Sequence, residues 1–375
     1  MRSLRAGDGS LVVVGCHARR FVLTQSAADR NYLIPAAVRD AVAALARVIR
    51  DERIDLIVPT TDADVLTLAR HRRRLPCRVF LPSRACVERC ADKYALTRWL
   101  RARGVPVPAT VAVRSLGDVA AGFRRLRPKG RVWCRVRRGH GSFGALDVRR
   151  PEQARAWIAY WAAMRGVRAS SFTLSEYLPG RDFACQSLWK DGRLVLVKAF
   201  ERLEYFVGGG QPSRVSSVAA LARTVSDPRP VETAVAAVRA LDPRATGLFS
   251  VDLKENAAGR PCVTEINAGR FLAGTNLLDL TGTHNMAATY VRLALGEPAG
   301  VGAVHDATDD HYIVRDLDTL PGILHVDQVF DGIVDGQPPP RAVHSSFPRR
   351  RTPRALRSRT TQQEAQGRDR DSRSA

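Results

Sequence analysis

Residues 249–270, FSVDLKENAAGRPCVTEINAGR, decide how this chain reads. Two apolar runs, LFSVDL and PCVTEIN, flank a polar connection, KENAAGR, whose Gly259 suits a tight turn between antiparallel strands. Asp252 then lies on one strand, and Glu265 and Asn267 lie on the next. Period-two alternation sends Glu265 and Asn267 to one face. A hard cation asks for such oxygen ligands, and Mg²⁺, held at roughly 2.0–2.1 Å, takes its remaining ligands from water and phosphates. Two or three protein oxygens are enough. A polar strand edge with a hydrogen-bonded asparagine shows the same spacing, so other segments have to weigh in.

They do so in order along the chain. Residues 91–110, ADKYALTRWLRARGVPVPAT, read as a helix closed by Gly104 and followed by an extended, proline-bearing segment. Residues 132–145, VWCRVRRGHGSFGA, read as a strand running into a turn with Gly139, Gly141 and Gly144 around Ser142. Residues 175–183, SEYLPGRDF, read as a strand ending at a Pro-Gly turn, with Glu176 before it and Asp182 after it. Glycines that follow a strand let backbone N–H groups converge on phosphate oxygens with no Cβ in the way.

This succession, with VDLKEN and EINAGR, resembles the ATP-grasp superfamily, and most nearly the carbamoyl-phosphate-synthetase-type and related carboxylate-amine ligases. The resemblance spans residues 54–296 and implies two α+β lobes with ATP between them, preceded by a Rossmann-like domain. By that resemblance Lys93 contacts nucleotide and Arg135 stands where a second phosphate-binding lysine is usual. Residues 138–144, with Gly139, Gly141, Ser142 and Gly144, form the lid over the triphosphate. Glu176, Tyr177 and Leu178 form the adenine hinge, and Asp182 holds ribose. Asp252, Glu265 and Asn267 bind Mg²⁺ or Mn²⁺, and Arg270 is the catalytic arginine that follows them.

Each residue has a plainer reading as a solvated charge, a hairpin glycine or a strand-edge acid. The chain has only five lysines, however, and five motifs in the family's order outweigh any one of them alone. Three departures stand out. Arg135 replaces lysine, a planar fork in place of a compact charge, though arginine suits phosphate equally. Arg270 comes three residues after Asn267, where the pattern has two. At the start, MRSLRAGDGS reads as the end of a first helix and residues 10–16, SLVVVGC, as a second strand, with residues 53–71 a later strand and helix. A parallel sheet lacking its first strand leaves costly unpaired backbone groups, which points to a misplaced start codon or a truncated protein.

Four parts follow: an incomplete Rossmann-like domain over 1–81, the ATP-grasp domain over 82–298, a small C-terminal appendage over 299–347 and a disordered basic tail over 348–375. Residues 151–165, PEQARAWIAYWAAMR, read as a helix begun by proline, its aromatic residues belonging to the core. The appendage carries two short strand-like runs, YIVRDLD and GILHVDQVFDGIV.

With 375 residues and 45% hydrophobic content, the chain has apolar surface for more than one core. No run approaches the roughly eighteen apolar residues of a membrane span, and the start lacks a signal-peptide pattern, so cytoplasm is the default. The seven cysteines lack zinc spacing and read as buried, reduced thiols. The formal charge of +22 raises nucleic acid as a partner. The arginines are spread along the chain without interleaved aromatics or a recognition-helix pattern, which argues against specific nucleic-acid binding. No heptad or symmetric patch fixes an oligomeric state, and a homo-oligomer stays open.

The activity the resemblance implies is ATP-dependent joining of a small-molecule carboxylate to an amine or ammonia through an acyl phosphate. Residues 198–217 are the expected readers of the acid, with Arg202 and Arg214 facing its carboxylate. A non-catalytic nucleotide-binding protein of the same fold, and a phosphoryl transferase that releases acyl or carbamoyl phosphate, are the alternatives.

Overall fold

The computed structural model describes residues 1–126, 130–139, 141–206, 213–214, 216, 218–301, 304–309, 311–314 and 332–335. The basic tail and most of GILHVDQVFDGIV lie outside the described residues. Met1–Gln337 forms one compact unit.

The chain opens with α1 (Arg2–Gly7), β1 (Val14–His17), α2 (Arg20–Leu23), β2 (Arg30–Leu33) and α3 (Val38–Asp51). Strands β1 and β2 pair in parallel, Val14 to Arg30 through His17 to Leu33. The strand expected over 10–16 is shorter, because the Val13 amide goes to the Asp29 carboxylate at 2.8 Å instead of to a ladder. The strand expected before α4 (Asp62–His71) is a single parallel bridge, Leu56 to Arg78. Helix α4 itself starts as a capping box, in which Thr61 accepts from the Asp64 amide and Asp64 accepts from that of Thr61. Next come α5 (Arg84–Cys90) and α6 (Lys93–Arg101).

A second body follows. It contains β3 (Thr110–Ala112), α7 (Asp118–Leu126), β4 (Val132–Val136), β5 (Leu146–Val148), α8 (Pro151–Arg165) and β6 (Phe172–Glu176). The sheet order is β3-β6-β4-β5, antiparallel throughout. Strand β4 alternates buried Val132, Cys134 and Val136 with half-buried Trp133 and Arg135, so one face meets α7 and α8 while Arg135 leaves from the other.

The large sheet is built from β7 (Asp182–Lys190), β8 (Arg193–Tyr205), β9 (Ala219–Thr224), β10 (Gly247–Glu255) and β11 (Pro261–Ala268), with α9 (Pro228–Leu241) inserted between β9 and β10. Its order is β11-β10-β7-β8-β9. Helix α9 covers one face through Val231, Ala234, Ala237 and Val238 against Cys185, Trp189 and Phe249. Part of the other face takes Met286, Tyr290 and Leu293 of α11 (Met286–Leu295), which follows the short α10 (Thr275–Leu278). Covered on both faces, β7 is buried without a break from Phe183 to Trp189, polar Gln186 and Ser187 included, and Gln186 donates to Ser250 Oγ at 3.2 Å; each fully buried large apolar side chain adds about 1.5–3 kcal/mol.

The described strands of the segment expected as an appendage join two of the sheets. Strand β12 (Val304–His305) runs parallel to β8, β13 (Tyr312–Val314) extends the large sheet beside β9, and β14 (Ile333–Asp335) pairs in parallel with β2. Two- and three-residue strands cannot bury a face of their own, so they complete edges supplied by others.

Candidate functional site

The β10–β11 hairpin folds as its sequence requires. Asp252 on β10 stands opposite Glu265 on β11, and the turn closes through Asn256, whose side-chain oxygen accepts from the Ala258 and Arg260 amides at 3.0 Å. Gly259 supplies the left-handed φ of +72°. The ladder slips between Asp252 and Leu253, leaving Thr264 as a bulge residue. The Thr264 carbonyl accepts from Arg135 Nη2 at 2.7 Å, so the bulge ties the large sheet to β4 of the smaller one.

Lys93 enters from α6. Its Nζ sits 3.3 Å from Glu265 Oε2, and Arg135 Nη1 lies 3.8 Å from the same oxygen. Asn267 Nδ2 donates to Asp252 Oδ2 at 3.3 Å. Burial raises the Asp252 carboxyl above the usual aspartate range; Arg202 opposes the rise and Glu265 adds to it. Burial likewise pulls the Arg135 guanidinium below its usual range, against Glu265 and Asp252, and its buried Nε has no hydrogen-bond partner among the described residues.

The glycine loop stands on the same helix. Asp92 caps α6 by accepting from the Tyr94 and Ala95 amides, each at 3.1 Å, and pairs with Arg137 at 2.7 Å and Arg138 at 3.3 Å. Burial would raise the Asp92 carboxyl, but the arginines and the Ala95 amide bring it net below its usual value. Lys93 Nζ also donates to Gly139 O at 2.6 Å. Gly139, Gly141 and Gly144 have φ of +136°, +62° and +66°, and Ser142 shares that region at +59°. At Gly144 a Cβ would lie 2.4 Å from Val136 Cγ2, so any other residue there displaces the end of β4.

Other expected residues are placed differently. Asp182 is a hub: it accepts from Arg202 Nη1 at 2.9 Å and Tyr205 Oη at 2.6 Å, with Lys254 Nζ at 3.4 Å. Arg202 reaches on to Asp252 at 2.5 Å. Burial opposes its charge, but Asp252 and Asp182 outweigh that and hold the guanidinium well above its usual pKa. Arg202 also lines a pocket with Phe200, Leu272, Gly274 and Ile313. At the hinge, the Glu176 amide donates to Ala109 O at 2.7 Å and its carboxylate accepts from the Ala109 amide at 3.2 Å. Tyr177 lies under Arg131, 5.4 Å from ring centroid to guanidinium carbon, and Leu178 is buried. Arg270 is turned to Asp62 at the start of α4, with Nε 2.5 Å from Oδ1. Arg214 is exposed, with φ of +58°.

The donor set fits a hard divalent cation. Two carboxylates and an amide meet on neighbouring strands, and one of the carboxylates is raised by burial and by its like-charged neighbour. Among the described residues no group of three His, Cys, Asp or Glu side chains could hold a metal, so any ion here relies on these two acids, the amide and phosphate oxygens. The seven cysteines are free thiols, and burial pushes that of Cys134 up to about 12.

Sequence reasoning passed over Asp92, Thr264 and Tyr205. Asp92 had a local signal, an Asp directly before a helical run. The bulge at Thr264 and the reach of Tyr205 to Asp182 depend on strand register, which the hydrophobic pattern does not specify residue by residue.

No protein-family model matches the chain, and no curated protein matches it by sequence. Solved structures do match in three dimensions. An L-amino acid ligase from Bacillus licheniformis aligns over 79% of this chain and 72% of its own, with a TM-score of 0.61 and 15% identity. A biotin carboxylase complex with β,γ-ATP from Campylobacter jejuni aligns over 83% and 71%, with a TM-score of 0.63 and 13% identity. An N5-carboxyaminoimidazole synthase from Aspergillus clavatus, in complex with ADP, aligns over 79% and 74%, with a TM-score of 0.57 and 15% identity. No helix among the described residues is long and apolar enough to cross a membrane. The small antiparallel sheet, the glycine loop and the large sheet ending in the β10–β11 hairpin together make this an ATP-grasp fold.

Proposed function

We propose that this chain is an ATP-dependent ligase that activates a carboxylate as an acyl phosphate and passes the acyl group to an amine or ammonia. One observation carries the reading: Lys93, Arg135, Asp252, Glu265 and Asn267, drawn from α6, β4 and the β10–β11 hairpin, meet in one place, with the glycine loop bonded to the same lysine. The similar solved structures include complexes with β,γ-ATP and with ADP, which supports nucleotide in this cleft.

A carboxylate is a poor acyl donor at neutral pH because the oxygen that must leave is a bad leaving group. Phosphorylating it supplies a good one. Catalysis of that step is mainly positioning and charge neutralisation. Lys93 and Arg135 would neutralise phosphate oxygens, and the loop from Gly139 to Gly144, with Ser142, would present backbone N–H groups and exclude water. Asp252, Glu265 and Asn267 would hold Mg²⁺ or Mn²⁺, which supplies charge for the phosphates. Glu176, Tyr177 and Leu178 would border adenine, with Leu178 giving it an apolar wall. Asp182 would reach ribose only by sharing an oxygen already taken by Arg202 or Tyr205. Arg202, at the head of the Phe200–Ile313 pocket, and Arg214 would read the acid. Arg270 would touch phosphate only after leaving Asp62.

We also propose the division into 1–81, 82–298, 299–347 and 348–375, with the third part stitched to the first two through β12, β13 and β14. The decisive measurement is acid-dependent ADP release over a panel of carboxylates and amines, run beside thermal shift with ATP, ADP and Mg²⁺. Stabilisation by nucleotide together with acid- and amine-dependent ADP release is the expected result. A protein of this fold that only binds nucleotide would show the first and never the second, and the hold of Asp62 on Arg270 is the feature that favours it.

A further inference from the structure

The helix α8 carries Trp157, Tyr160, Trp161 and Met164, spaced three and four residues apart and so along one side of the helix. The glycine loop is fastened to this side. Trp157 Nε1 donates to Gly144 O at 3.0 Å, and the ring of Phe143 meets that of Trp161 edge to face with centroids 4.3 Å apart. Both indoles rest against the core of the smaller sheet and meet each other edge to face at 5.8 Å, so they form a fixed mount. Phe143 does not belong to that core; it is 43% exposed and also covers Gly139, its Cδ1 lying 3.6 Å from where a Cβ would stand. A large aromatic left this open contributes little to folding, and its contact with Trp161 acts mainly on the loop. At its other end the loop is held by Lys93 through Gly139 O and by Asp92 through Arg137 and Arg138. The Trp161 indole N–H is buried without an acceptor among the described residues, so one donor of the mount is spare for a loop carbonyl in a shifted position.

We propose that Phe143 and Trp161 are positioning residues for the nucleotide's phosphates: their contact sets where the loop backbone stands over the cleft, and it changes when phosphate arrives. This rests on the nucleotide site proposed above. Phosphate binding would shift Gly139 away from Lys93, and Phe143, four residues on, would move across the Trp161 ring. Binding of the nucleoside portion at the hinge would not engage the contact.

The test uses the full chain, with ADP plus Mg²⁺ and adenosine as probes. In Phe143→Ala, MgADP should bind roughly three- to tenfold more weakly, the factor an aromatic pair is worth, while adenosine affinity and ligand-free melting stay as in the parent. Phe143→Tyr should restore MgADP affinity. Tryptophan emission should change on MgADP addition, and Trp161→Phe, which keeps an aromatic edge, should remove most of that change while still binding. Equal MgADP affinity in Phe143→Ala, or an undiminished emission change in Trp161→Phe, overturns the clip and leaves the nucleotide site standing. Equal losses for adenosine and MgADP overturn it in favour of a general structural role. No MgADP stabilisation of the parent protein overturns the nucleotide site and the clip together.

Discussion

Two buried lysines face carboxylates in this molecule, and they are set up in opposite ways. Lys198 on β8 lies 3.4 Å from Asp279 and 3.1 Å from Asp306, and all three side chains are at most 5% exposed. The ammonium donates further to Leu278 O and Thr281 O at 2.9 and 3.1 Å. The acids are completed by backbone amides and a hydroxyl: Asp306 accepts from the Thr283 and His284 amides, and Asp279 from the Met286 amide and the Ser3 hydroxyl. Burial would raise Asp306, but these amides and Lys198 hold it net below its usual value. Lys93 is different. It and Glu265 are 11% and 21% exposed, beside an Asp252 that burial and Glu265 raise in spite of Arg202. One cluster closes its charge internally and staples β8 to the loop before α11 and to the loop after β12. The other is left with a carboxylate that gains from more positive charge. Burial of charge alone does not mark a functional site; incomplete compensation does.

The strongest way to break this comparison is Glu265→Gln. It removes the charge facing Lys93 and Arg135 and one of two acids available to a cation, so turnover should fall by at least about a thousandfold, roughly 4 kcal/mol of barrier. The denaturation midpoint of the ligand-free protein should hardly move. Steady-state ADP release and urea titration of the same sample check both halves, and surviving activity would remove the metal assignment.

Next in size is the stability contrast between the lysines. Lys198→Met leaves two deeply buried aspartates without their cation, which should cost about 3–5 kcal/mol. Lys93→Met leaves Glu265 near solvent and still beside Arg135, so its cost should stay below about 1.5 kcal/mol while nucleotide affinity collapses. Urea midpoints for the pair decide it. Equal losses would mean that the site lysine is as structural as the other.

How much of this was legible follows from where each signal lives. The β10–β11 hairpin is spelled out locally, by apolar alternation around Asn256 and Gly259, and the structure returns it with Asp252 opposite Glu265. The start of α6 is local too, since Asp92 precedes the helical run and its side chain caps it. Arg270 is a long-range matter: nothing near EINAGR announces Asp62, 208 residues away in sequence. The edge pairing of β12, β13 and β14 is equally non-local, because strands of two or three residues carry almost no pattern of their own. The Lys198 node was invisible for the same reason. Its partners come from two separate segments, Leu278 to Thr281 and Asp306, and a lysine inside an apolar strand reads as an exception until they are assembled.

The smallest expected effect concerns pH in the ligand-free protein. Asp252 has its folded pKa raised above the unfolded value, so the stability linked to its protonated form is fully present below the unfolded pKa. It is lost as pH rises through the folded pKa. Asp306 runs the other way: its depressed folded pKa gives stability present above the unfolded pKa and lost as pH falls through the folded one. Urea midpoints across a pH series should therefore fall towards acid in a manner that Asp306→Asn abolishes. Towards neutral pH they should carry a shallower decline that Asp252→Asn abolishes. Saturating Mg²⁺ with ADP should flatten the decline in the parent, because a cation at Asp252 favours the ionised carboxylate. In Asp252→Asn the same ligand should leave the profile unchanged. If both variants altered only the acid limb, Asp252 would be as fully compensated as Asp306, and the distinction between the two lysine clusters would lose its electrostatic basis.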